Sequence, residues 1–263
     1  MTLELQTNLY LVLFMIIFSK GESDILGAKF GRIALDSSFN DFHLLKNEII
    51  SLDYDFLRVR IDNPGSFIQE GLNTVGTSVH LLEILRAYTT KSLQSYDLKV
   101  IYGDYNYQKV SHDTLGLFLE LVEETYEDIP FGTYTPKVVL DRFSKSNQLQ
   151  SLVDYFRQNY DGSNSVSEAF LIYNKENEVV GCLTIDSSAD ETYTYYVGVR
   201  KAYRNNDILF KTINFIHHYA QLSGKLYAKG AARLHNIFSQ RAFEKSGMNC
   251  SGYTWVYLIG AKA

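Results

Sequence analysis

Between positions 168 and 200 three β-type runs follow one another with almost no chain between them: residues 168–174, 179–185 and 193–200. Backbone in such short runs must find its hydrogen bonds in neighbouring strands, and the tetrapeptide Lys175-Glu176-Asn177-Glu178 makes the first two a hairpin. A helix-period segment over 206–222 follows, with Leu209, Ile213, Ile216 and Ala220 recurring every three or four residues. Gly224 stands where a helix end takes a left-handed residue. A strand over 226–229, a helix over 237–246 and a final strand pair over 253–259 complete this half. The alternation predicts an α/β fold.

The first half alternates in the same way. Strands are expected at 30–35, 55–61 and 78–88, with helices at 39–51 and 66–72, and Asn63-Pro64-Gly65 marks a turn. The polar, aperiodic stretch 89–97 reads as a linker, which sets domains at 1–97 and 98–263. The second domain opens with a strand over 99–107 and a helix over 112–126. The turn-rich 130–136, a further helix to about Tyr160 and a loop at 161–165 follow. The octapeptide 71–78 (GLNTVGTS) matches 247–254 (GMNCSGYT), each after a strand and short helix and before a strand. Either the match is chance, or the N-terminal domain is a partial copy of the C-terminal one.

Composition narrows the function classes. A hydrophobic fraction of 46% over 263 residues suffices for a buried core, and 14% aromatic content excludes a solvated, disordered chain. A net charge of −5 lacks the basic stripe that nucleic-acid binding requires. Two cysteines, Cys182 and Cys250, exclude a disulfide framework and read as small buried residues in a reducing compartment. The apolar run 9–18 is shorter than the roughly 20 residues of a membrane helix. It follows Glu4 rather than a basic leader. It is expected to be a buried strand or short core helix of a cytoplasmic protein, the alternative being a signal or membrane-surface segment. His217 and His218 point about 100° apart on a helix and cannot chelate one metal; no metal site is expected. Phosphate-loop, nucleophile-elbow and zinc-helix motifs are absent, and Gly27-Ala-Lys-Phe-Gly31 is too sparse for a nucleotide fingerprint.

Two stretches carry a family resemblance. Val197-Gly-Val-Arg-Lys-Ala-Tyr-Arg204 resembles the V-x-P-x-Y-R at the end of the fourth strand of GCN5-related N-acetyltransferases. Asn236-Ile-Phe-Ser-Gln-Arg-Ala-Phe-Glu-Lys-Ser-Gly-Met248 resembles their N-x-x-A-x-x-x-Y-E-K-x-G-F, with Asn236, Glu244, Lys245 and Gly247 at the family spacing. The resemblance spans roughly 98–263. Residues 25–33 (ILGAKFGRI) and Asp141-Arg142-Phe143 resemble the two-domain branch that contains dTDP-fucosamine acetyltransferase.

The resemblance implies a mixed, splayed sheet flanked by helices and transfer of an acyl group, acetyl above all, from acyl-CoA to a small primary amine. The branch favours an amino sugar or sugar nucleotide as acceptor. Acetyl-CoA would lie along Val197 and Val199, with its pyrophosphate on the helix start formed by Arg204, Asn205, Asn206, Asp207, Ile208 and Leu209. Asn236 and Phe243 would border it. Glu191, or Asp186 beside it, is the expected carboxylate base, and Tyr195 or Tyr196 the hydroxyl replacing a missing acid; Tyr227 and His235 are further candidates.

Two departures oppose this. The family's R/Q-x-x-G-x-G/A is here Arg204-Asn-Asn-Asp207-Ile-Leu209, which loses both small residues and sets Asp207 where an anion should sit. Asp207 also reads as an ordinary helix-start residue. Phe243 replaces the thiolate-protonating tyrosine and has no proton to give. They motivate an alternative, a degenerate fold acting as a binding or interaction module. A third reading takes a carrier-protein thioester as donor, docked on Arg200, Lys201 and Arg204. Oligomeric state stays open.

Overall fold

A computed structural model describes residues 16–18, 23, 28–65, 67–76, 78–91, 103–126, 145–160 and 167–260. The chain divides into two compact units, residues 1–82 with 254–263, and residues 83–253. Strands β4 (Ser78–Lys91) and β10 (Asn249–Gly260) each contribute to both.

In the first unit β1 (Ile17–Phe18) lies antiparallel to β2 (Phe30–Leu35), and β2 runs parallel to β3 (Phe56–Asp62) through helix α1 (Phe42–Ser51). The C-terminal end of β10 closes the other side of β3, antiparallel, with Trp255 opposite Ile61. Alternation along β3 buries Leu57, Val59 and Ile61 against Leu45 and Ile49 of α1, and against Ile68 and Leu72 of α2 (Phe67–Leu72). Helix α1 starts later than the hydrophobic pattern suggests because the Asp41 side chain accepts from the Leu44 N–H at 3.0 Å and fixes the first turn there.

The second unit carries the order β4-β9-β8-β7-β6-β5. Its strands are β5 (Asn106–Lys109), β6 (Ser167–Tyr173), β7 (Val179–Ser187), β8 (Glu191–Val199) and β9 (Tyr227–Arg233). All neighbours are antiparallel except β8 and β9, joined by helix α5 (Ile208–Leu222). Gly224 ends that crossover at φ +68°, as a left-handed helix stop requires. Helices α3 (Leu115–Tyr126) and α4 (Lys145–Asn159) cover one face through Phe118, Leu121, Phe156 and Tyr160. Helices α5 and α6 (Ile237–Lys245) contribute Ile213, Phe215, Ile216 and Phe243 to the other core.

Several expectations change. Thr89–Lys91, read from sequence as the start of a linker, complete β4, because they pair with Tyr227–Lys229 of β9. The expected final strand pair is one strand, β10. Of the apolar run 9–18, residues 9–15 lie outside the described residues. Ile17 and Phe18 do form a strand, but at 57% and 50% exposure they are not core. Cys182 is buried as expected, whereas Cys250 is exposed at the start of β10; both are free thiols. Residues 92–100, 130–136, 141–143 and 161–165 lie outside the described residues.

Candidate functional site

Strands β8 and β9 diverge halfway along their length. Their parallel ladder runs from Glu191–Tyr227 to Thr194–Gly230 and stops there, while β9 stays paired with β4 out to Arg233–Leu85. The second half of β8 therefore turns away from β9, and a gap opens beside the 195–199 backbone.

The cause of the divergence is visible on the other side of β8. Thr184 pairs with Tyr196 and Ile185 with Thr194, so Tyr195 is an extra residue, a β-bulge that bends its strand. Buried Thr184 holds the bulge from both ends. Its hydroxyl accepts the Tyr196 N–H at 3.1 Å, and its carbonyl accepts the Thr194 hydroxyl at 3.1 Å. A regular strand would send Tyr195 and Tyr196 to opposite faces; here both rings lie near Phe156 of α4, with centroids 6.2 and 5.7 Å away.

Gly230 marks the point of divergence, and its missing side chain is a steric necessity. A Cβ there would stand 2.6 Å from the Phe243 ring and 3.2 Å from Thr194 Cγ2. Phe243 thus closes the α5–α6 side of the gap, 4% exposed and stacked on Tyr88 at 4.8 Å. Tyr88 faces Gly230 from β4, and burial pushes its phenol up to about 12. Its hydroxyl donates to Glu244 Oε1 at 3.5 Å, and Arg86 Nη1 binds the same oxygen at 2.9 Å.

The start of α5 lies beyond the open half of β8. Asn205 and Asp207 both have left-handed backbone, φ +70° and +56°. The Asp207 carboxylate makes no capping bond to α5; it accepts instead from Lys245 Nζ at 2.9 Å. Arg204 Nε donates to the Val199 carbonyl at 3.1 Å, tying the loop to the end of β8. Tyr105 donates to the Asn206 carbonyl at 3.3 Å, and Lys211 lies over the Tyr105 ring.

No protein-family model matches the chain, and no curated protein does. Solved structures do. A GCN5-related N-acetyltransferase from Sphaerobacter thermophilus superposes with a TM-score of 0.62 at 10% identity, over 95% of this chain and 76% of its own. One from Kribbella flavida gives 0.56 at 11%, over 88% and 80%. A functionally unknown conserved protein from Staphylococcus epidermidis gives 0.57 at 11%, over 88% and 85%. This chain has the fold of a GCN5-related N-acetyltransferase. The mixed, splayed sheet expected from the Val197–Arg204 and Asn236–Met248 resemblances is the one observed.

Within this acetyltransferase fold the expected site residues separate into groups. Val197, Val199, Arg204, Asn205, Asn206, Asp207, Ile208 and Leu209 do gather at the open half of β8 and the start of α5. Ile208 is buried and Leu209 packs on the same core, so these two can offer a ligand only backbone. Asn236 caps α6: its side chain accepts the Ser239 N–H at 3.1 Å. Tyr196 needs correcting. It is 8% exposed, its hydroxyl lies 2.6 Å from Thr125 Oγ1, and burial drives its pKa well above the ordinary phenol value. A catalytic hydroxyl must reach the substrate, and this one is committed to the α3 core. Asp207 does stand at the start of α5, but without the capping bond of an ordinary helix-start residue.

Glu191 is ion-paired with Lys229 at 2.5 Å, and His235 is exposed in the turn before α6. Arg200 is paired with Glu124 at 3.1 Å. Among the described residues no cluster of His, Cys, Asp or Glu could hold a metal, and no helix is long and apolar enough to cross a membrane. The structure adds residues not singled out from sequence. Tyr155 of α4 meets both Tyr195 and Tyr160, and Tyr160 donates to Asp186 Oδ1 at 2.7 Å. Tyr155, Phe156 and Tyr160 form an aromatic group in the sequence, the one signal that pointed there.

Proposed function

We propose that the protein transfers an acyl group from acyl-CoA, acetyl-CoA by preference, to a small primary amine. The observation that carries this reading is the divergence of β8 from β9 at Thr194–Gly230, which opens strand backbone directly before the N-terminus of a 15-residue helix. An extended amide chain can pair with such an edge, and a pyrophosphate is favoured at a helix start by unpaired N–H groups and the dipole. The charges there fit an anion. Asp207 is neutralised by Lys245, and Arg204 and Lys211 add positive charge beside it. Acyl-coenzyme A, when bound, supplies the thioester.

The chain's residues then do the following. Val197 and Val199 present backbone to the donor, while Asn205 and Asn206 shape the loop that meets the phosphates. The amine nitrogen attacks the thioester carbonyl, so that a C–N bond forms and the C–S bond breaks. Asp186 takes the proton the amine loses; Glu191, held by Lys229, is the less available carboxylate. Phe243 supplies no proton, and the sulfur departs as thiolate. An amino sugar is the acceptor favoured by the resemblance of residues 25–33 to the sugar-amine branch. The partial-copy reading of the N-terminal domain and a cytoplasmic location belong to the same proposal.

A second reading, a binding module without CoA chemistry, is favoured by one observation: an acidic residue, Asp207, stands at the N-cap position of α5. Calorimetric titration with acetyl-CoA and free CoA separates the two. Micromolar binding that Arg204→Glu weakens supports transfer; no heat and no thermal shift at millimolar CoA refutes it.

A further inference from the structure

The bulge that bends β8 away from β9 also pushes a tyrosine into solvent. Tyr195 is 54% exposed in the middle of a strand, and Tyr155, on α4, is 40% exposed beside it. Their centroids are 6.1 Å apart and their planes meet at 53°, so the rings form two walls of an open corner. The corner is rigid from behind. Phe156 and Tyr160 are buried, with centroids 5.7 and 6.1 Å from Tyr155, and Phe156 meets Tyr195 edge-on at 88°. Two exposed aromatic rings on so firm a base are unusual where neighbouring aromatic side chains are packed away.

The polar groups next to this corner have a definite sign. Asp186 of β7 pairs in register with Tyr193, two residues before Tyr195, and Tyr193 pairs with Lys229. The Tyr160 hydroxyl donates to Asp186, which positions the carboxylate without neutralising it. Lys229 is matched by Glu191 at 2.5 Å. Two carboxylates against one ammonium leave the row Asp186, Glu191, Lys229 with one net negative charge. Aromatic faces attract cations within about 6 Å of the centroid, and a nearby carboxylate reinforces the preference.

We infer that the Tyr155–Tyr195 corner with Asp186 is the acceptor subsite, and that it takes a primary amine in its ammonium form carried on a ring with a flat apolar face. The inference rests on the acyl-transfer reading and narrows it. The ring stacks on the tyrosines, and the ammonium lies toward Asp186; before attack it releases one proton to solvent, and Asp186 takes the second as the C–N bond forms. An amine on a long flexible chain gains the charge contact but not the stacking, and a neutral ring gains the stacking alone.

The test uses the full chain without any CoA, so its result is independent of the donor site. Benzylamine and its neutral counterpart benzyl alcohol are titrated by calorimetry and by ligand-observed NMR. Benzylamine binds about tenfold more tightly than the alcohol, Tyr195→Ala weakens it about fivefold or more, and Tyr195→Phe, which keeps the ring face, stays within about twofold. Tyr155→Ala, the second exposed wall, gives a loss of similar size, which guards against misfolding of one variant. Asp186→Asn brings the amine down to the level of the alcohol. Equal affinity for amine and alcohol, or unchanged amine binding in both alanine variants, overturns the inference. Amine binding combined with silent CoA calorimetry upholds the subsite and refutes acyl transfer; the reverse result leaves transfer standing without this subsite.

Discussion

Asp207 offers the sharpest handle on the donor site, because its backbone and its charge can be separated. At φ +56° it bears the left-handed cost of a side-chain-bearing residue, of order 1 kcal/mol for Asp. Glycine removes that cost, yet it restores about 0.4–1 kcal/mol of unfolded-chain entropy. It also removes the Lys245 pair, whose partners are 53% and 61% exposed and which is worth about 0–1 kcal/mol. Asp207→Gly is therefore expected to leave stability within about 1 kcal/mol of the parent.

Affinity responds differently. A carboxylate beside a pyrophosphate repels it by about 1 kcal/mol at 4 Å in water and by about 4 kcal/mol at a partly shielded surface. Some of this is already cancelled by Lys245. A net gain of about 1.4 kcal/mol, or tenfold tighter acetyl-CoA binding, is the expectation for Asp207→Gly. Asp207→Asn keeps the left-handed tolerance and loses only the charge, so it should recover most of the tenfold. Calorimetry at two salt concentrations supplies the check, since an electrostatic gain shrinks as salt rises. If both variants bind acetyl-CoA no better than the parent, or more weakly, the carboxylate does not face the phosphates and the placement of the donor fails.

Other consequences of the packing can be measured separately. Gly230→Ala puts a methyl within 2.6 Å of the Phe243 ring and should cost about 1–3 kcal/mol in chemical denaturation; a neutral result would mean that α6 can move freely off the sheet. Phe243→Tyr, which introduces the residue of the resembled motif, buries a hydroxyl where the ring is 4% exposed and should destabilise by about 1–3 kcal/mol; a more stable variant would reverse the assignment of Phe243 as a packing residue. His217 is 1% exposed on α5, and burial lowers its pKa to about 4 from 6.5. Below pH 6.5 the unfolded chain binds the extra proton first, so stability should fall by roughly 3 kcal/mol in all as pH drops from 6.5 to 4. His217→Phe should remove that component of the slope, and an unaltered slope would place the titration elsewhere.

Sequence periodicity located most elements described in the 83–253 unit within two or three residues, because each strand and helix there buries one face and must alternate accordingly; β5 at 106–109 rather than 99–107, β9 running on to Arg233 and β10 starting at Asn249 are the exceptions. Where α1 starts late, a side chain decides it: Asp41 caps the helix at Phe42. Strand β4 runs longer than expected because Thr89–Lys91 look like linker residues locally. They become strand only by pairing with β9, which lies far along the chain and is invisible to any local window. The site was half legible. The loop 204–209 could be found from motif spacing, since its role lies in backbone. Tyr195 and Tyr196 could not be placed on one face from sequence, since alternation assigns them opposite faces and only the Thr184 bulge overrides it.

That bulge connects the features of the site. One inserted residue turns β8 away from β9, so the strand edge, the helix start and the exposed tyrosine share a single cause. Thr184 is buried and holds it with a hydroxyl and a carbonyl. The proposed donor edge and the proposed acceptor corner would thus be coupled through the same few bonds. Thr184→Val keeps the shape and the carbonyl but leaves the Tyr196 N–H without its partner, at a cost of about 1–3 kcal/mol. If the coupling is real, this variant loses acetyl-CoA binding and benzylamine binding together, whereas Tyr195→Ala loses only the amine and Asp207→Gly alters only the donor. A Thr184→Val protein that binds both ligands normally would mean that the strands diverge for some other reason.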